Sequence, residues 1–119
     1  MLNRVRQPFN VNSFALAAAC AALDDADYLA QSRQLNDAGM VQLEAGLREL
    51  GLSWIPSKGN FIAVDFGRDT AAINQALLRA GVIVRPVAGY GMPNFLRVSI
   101  GLPAENARFL DALAKVLNA

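Results

Sequence analysis

Between Gly81 and Gly101 the chain sets two short apolar runs, Val82-Ile83-Val84-Arg85 and Phe95-Leu96-Arg97-Val98-Ser99-Ile100, on either side of a loop that holds Pro86, Gly89, Gly91 and Pro93. Runs of this kind read as strands, and a connection this short makes them an antiparallel hairpin. A hairpin needs further strands and a covering layer to be stable. Trp54-Ile55 and Asn60 to Phe66 supply two more strand candidates, separated by the turn-forming Pro56-Ser57-Lys58-Gly59.

The covering layer is legible in the helical patterns. Asn12 or Ser13 caps a helix through about Leu23. Asp24, Asp25 and Asp27 then crowd the start of a long helix, where the macrodipole favours carboxylates, and Gly51 ends it. On that helix Tyr28, Leu35, Leu43, Leu47 and Leu50 recur near helical spacing, with Ser32 and Gly39 small enough to admit another backbone. Asp69 or Thr70 opens a third helix that presents Ile73, Ala76, Leu77 and Ala80 and stops at Gly81. A last helix presents Ala107, Leu110, Leu113, Ala114 and Leu117. The resulting fold class is α+β: a small, mostly antiparallel sheet covered on one face by helices, in a single domain over residues 1–119.

Composition removes several classes of function. The chain has no histidine and one cysteine, Cys20, which excludes internal disulfides, histidine-based metal sites and Ser-His or Cys-His nucleophile pairs. The net charge of +1 comes from scattered lysines and arginines, so no basic stripe marks a nucleic-acid partner. The apolar run of residues 14–23 is too short to span a bilayer. A reducing, cytoplasmic setting is expected.

Against that background the arginines are the chemistry. Arg97 stands between Leu96 and Val98, where a guanidinium is costly to bury unless an anion or an acceptor meets it. Its planar fork fits carboxylate or phosphate oxygens, and the competing role is a salt bridge inside the chain. Arg85 ends the partner strand, and a hairpin brings both guanidiniums toward one anion. Asn60, at the mouth of the central strand, is a further polar candidate, with a turn-finishing role as its alternative. Arg6, Asn10 and Asn12 lie in Arg6-Gln7-Pro8-Phe9-Asn10-Val11-Asn12, where loop and cap duties compete with binding.

Taken together, Arg6 to Asn12, Ser57 to Phe61, Gly81 to Pro86 and Leu96 to Gly101 resemble segments from the C-terminal part of the fold type I pyridoxal-phosphate aminotransferases, with the closest likeness to the histidinol-phosphate enzymes. The resemblance implies the small domain of such an enzyme, about its last third, without the cofactor-binding large domain. It implies that Arg97 holds the anionic group of the substrate, that Arg85 assists, and that Asn60 orders the site. It also implies that Arg6 and Asn12 touch cofactor or partner subunit, and that the enzyme is a homodimer. No catalytic residue is expected in this chain, because Lys58 and Lys115, its only lysines, lack the family's cofactor-lysine context. That lysine is expected before residue 1. The expected parent reaction is amino transfer between histidinol phosphate and 2-oxoglutarate. Alternatives are an aromatic amino-acid aminotransferase, a threonine-phosphate decarboxylase-like domain, or a binding module without catalysis.

Overall fold

Asn12 and Asp25 set the helical frame at the start of the described chain. In the computed structural model, which describes residues 11–118, the Asn12 Oδ1 accepts the Ala15 N–H at 2.8 Å and caps α1, Ser13–Leu23. The Asp25 Oδ1 accepts the Tyr28 N–H at 3.0 Å at the head of α2, Ala26–Glu49. Both bonds satisfy amide groups that a helix start leaves without partners. The chain divides into two compact units, Met1–Arg33 and Gln34–Ala119. Every residue of α1 is exposed, and in the α2 stripe Tyr28 and Leu35 are exposed while Leu43 and Leu47 are buried.

The second unit holds the sheet. Strands β1 (Ser53–Ile55), β2 (Phe61–Asp65), β3 (Arg85–Pro86) and β4 (Phe95–Ser99) lie in the order β1-β2-β4-β3, every neighbour antiparallel. Alternation along β2 and β4 sends Ile62, Val64, Leu96 and Val98 to one face, where all four are buried. Helices α3 (Ala71–Arg79) and α4 (Pro103–Leu117) and the second half of α2 meet that face. Leu43, Leu47, Ile73, Leu77, Phe109 and Leu113 complete one core with it. Phe61, Ala63, Arg97 and Ser99, on the other face of the sheet, belong to no part of that core.

Glycines end two of the helices as the sequence indicates. Gly51 and Gly81 take φ of 71° and 74°, and beyond each the chain bonds back to its helix, Leu52 N–H to the Leu47 carbonyl and Val82 N–H to the Leu77 carbonyl. The second closure explains one departure from expectation. The strand read over Val82–Arg85 shrinks to Arg85–Pro86, because Val82 has already spent its N–H on the helix and pairing with β4 starts only at Arg85.

A second departure concerns α4. Its buried face is Asn106, Phe109, Ala112 and Leu113, whereas Leu110, Ala114 and Leu117 are half-buried and Ala107 is exposed. The helix is turned by a polar anchor that an apolar pattern cannot register. Asn106, 2% exposed, accepts the Gly101 N–H at 2.9 Å and donates to the Gly101 carbonyl at 3.1 Å and to Gln42 Oε1 at 3.2 Å. Gln42 in turn donates to the Pro103 carbonyl at 3.0 Å. This network ties the end of β4, the strand that carries Arg97, to α2 and α4.

Candidate functional site

The face of the sheet opposite the core collects the residues out of phase with it. The register pairs Ala63 with Arg97, Phe61 with Ser99 and Asp65 with Phe95, and on the other side of β4 it pairs Arg85 with Arg97. Cross-strand partners share a face, so Phe61, Ala63, Arg97 and Arg85 form one patch. Arg97 is half-buried and Arg85 exposed. Two arginines thus occupy directly opposed positions on adjacent strands.

Neither has an internal partner of opposite charge: among the described residues no ion pair involves Arg97 or Arg85. Asp65 is the one acidic strand residue of this face, and its Oδ1 is engaged by the Gly67 N–H at 2.8 Å and by Asn94 Nδ2 at 2.7 Å. The internal salt bridge that competed for Arg97 in the sequence is therefore not formed among these residues. What Arg97 does touch is aromatic. Its guanidinium carbon lies 5.0 Å from the centroid of the Phe61 ring.

Like charges directly opposite one another in a sheet are unfavourable, and two forks with their N–H groups uncommitted make a receptor for an oxyanion. A groove of about 670 Å³ lies elsewhere, along α3 and α4, lined by Ala76, Ala80, Ala107 and Ala112 among others.

Of the other candidates, Asn60 lies one residue before β2 and is exposed. Its carbonyl accepts the Ile100 N–H at 2.9 Å, while its side chain has no hydrogen bond among the described residues. Asn12 commits its side-chain oxygen to the α1 cap. Arg6 and Asn10 lie outside the described residues. Lys58, in the turn before β2, and Lys115, on α4, are both exposed. The sequence reading missed Phe61 as a contact of Arg97. The period of two along Asn60 to Phe66 contains that information, since it sets Phe61 in phase with Ala63, but only the register with β4 brings Arg97 to the ring.

The chain as a whole is similar to known proteins. A family model described as aminotransferase class I and II matches residues 1–113. Histidinol-phosphate aminotransferase 2 of Pseudomonas fluorescens is 80% identical over 117 residues, which are 98% of this chain and 32% of that protein. The protein of the same name from Pseudomonas aeruginosa is 80% identical over the same shares of each. The crystal structure of histidinol-phosphate aminotransferase from Sinorhizobium meliloti in complex with pyridoxal-5'-phosphate matches with a TM-score of 0.79 and 30% identity, over 98% of this chain and 33% of that one. The chain spans about a third of the length of the relatives it matches. The expected α+β architecture is the observed one, and the chain belongs to the class I and II aminotransferases.

Proposed function

We propose that this chain is the substrate-recognising C-terminal domain of a pyridoxal-phosphate-dependent aminotransferase that exchanges an amino group between histidinol phosphate and 2-oxoglutarate, a step of histidine biosynthesis. The observation that carries the reading is the pairing of Arg97 with Arg85 across adjacent strands, with no ion pair to a carboxylate among the described residues. The 80% identity to relatives named histidinol-phosphate aminotransferase supports the choice of substrate.

In this reading Arg97 receives the phosphate of the amino donor in one half-reaction and a carboxylate of the oxo acid in the other. Both are oxyanions that a planar fork holds through two parallel N–H bonds. Arg85 adds a second cation, which favours the doubly charged phosphate. Asn60, the residue before β2, keeps the substrate-binding role that the resemblance implies. Held by its anionic end, the substrate presents its amine in a fixed place, which is the part of catalysis that positioning supplies.

Pyridoxal phosphate, the cofactor of the Sinorhizobium meliloti structure, supplies the carrier for the amino group. The described residues do not fit its covalent seat: Lys58 and Lys115 are exposed, and neither is on the strands of the arginine patch. We assign that seat to the part of the complete enzyme outside this chain. Arg6 and Asn12 keep the contact with cofactor or partner subunit that the resemblance implies.

The reading includes a homodimer, for which the wholly exposed apolar α1 offers surface that another domain or subunit would cover. It also includes a cytoplasmic setting, which suits the free, exposed Cys20. Among the described residues no helix is long and apolar enough to cross a membrane.

An assay of the complete enzyme with histidinol phosphate and 2-oxoglutarate tests the proposal. Glutamate formed without release of carbon dioxide is the expected result. Carbon dioxide release, or turnover of aromatic amino acids with none of histidinol phosphate, overturns it.

A further inference from the structure

We propose that Phe61 is a positioning residue for the substrate anion, its ring holding the Arg97 guanidinium in the orientation from which the fork grips phosphate or carboxylate; this rests on the reading of Arg97 as the anion contact. Phe61 belongs to none of the core packing. It is a large apolar side chain, 39% exposed, on the sheet face opposite the core. The ring stays partly exposed outside the core, and it has the Arg97 guanidinium carbon 5.0 Å from its centroid.

The neighbouring positions favour this contact. Arg97 pairs with Ala63 and Phe61 pairs with Ser99, so small side chains occupy both direct cross-strand positions and the Phe61–Arg97 diagonal is left open. On its other side Arg97 faces Arg85, whose like charge repels it. With no ion pair to a carboxylate among the described residues to set its plane, the guanidinium has the ring as its fixed attraction. Stacking uses the flat face of the guanidinium and anion binding uses its edge, so the two do not compete. Restricting a rotamer-rich side chain before the ligand arrives removes part of the cost of ordering it on binding.

The experiment is a titration of the full chain, labelled with nitrogen-15, with inorganic phosphate, following the Nε–H signals of Arg97 and Arg85 by NMR. In the native chain the Arg97 signal is shifted by the ring current of Phe61, and phosphate moves both signals. Phe61→Leu abolishes the ring-current shift and weakens phosphate binding by about fivefold, the factor expected of a partly exposed cation–π contact. Phe61→Tyr, which keeps the ring, restores affinity to within about twofold on the same reasoning. A Phe61→Leu chain that is less stable yet binds phosphate as tightly as the native one overturns the positioning role alone. A native chain in which phosphate moves neither arginine signal overturns the anion site and, with it, this inference.

Discussion

Arg85 sits directly across from Arg97 in the β3–β4 pair, two cations in a position where a sheet is stabilised by opposite charges. The pair is a cost to the unliganded fold and a gain to any oxyanion that reaches it. Stability and anion binding are therefore coupled through the same two side chains.

The coupling is measurable without substrate. Arg85→Gln raises stability to urea at low ionic strength by about 0.2–1 kcal/mol, toward the lower end because Arg85 is exposed. The gain fades as added salt screens the repulsion. Inorganic phosphate raises the Tm of the native chain more than that of the variant. Equal urea midpoints for the two chains at low salt contradict the repulsion.

Gly39 marks where α2 comes closest to the end of β4. A Cβ built there stands 2.5 Å from Ile100 Cγ2 and 3.0 Å from Asn106 Nδ2. Gly39→Ala recovers up to about 1 kcal/mol of helix propensity but overpacks a buried contact at a cost of about 1–3 kcal/mol. Net destabilisation of about 1 kcal/mol is expected by urea titration. Gly89→Ala, where nothing lies within 4 Å, serves as the control and stays near neutral.

Asn106→Leu keeps much of the volume and removes every hydrogen bond of the anchor. It leaves the Gly101 N–H and carbonyl and the Gln42 amide oxygen without their partner. A loss of about 2–4 kcal/mol follows, since each buried group left unsatisfied costs about 1–3 kcal/mol. The measurement is the urea midpoint at constant m-value. A loss below about 0.5 kcal/mol, the size of an ordinary surface change, contradicts the anchor.

Much of this was legible in the sequence because it depends on local periodicity and on breakers. The cap at Asn12, the carboxylates at the start of α2, the glycine stops at Gly51 and Gly81, and the alternation that buries Ile62 and Val64 are properties of short segments. The arginines were visible for the same reason, as charges in apolar strand runs. What the sequence did not show is long-range. The Asn106 network that turns α4 joins residues 64 positions apart in chain. The approach of Phe61 to Arg97 depends on a register between β2 and β4, neighbours in the sheet but not consecutive along the chain. The shortened β3 reflects competition between a helix end and a strand for one N–H, which no periodic pattern records.

The most direct test compares two substrates that differ only in the anion. In the complete enzyme, kcat/KM is measured for histidinol phosphate and for histidinol, in the native form and in Arg97→Gln. Loss of a bidentate charge-assisted contact lowers the histidinol phosphate value by about 100-fold, and the histidinol value changes little. Equal losses on both substrates, or no loss on either, contradict the assignment of Arg97 as the grip on the anionic reactant.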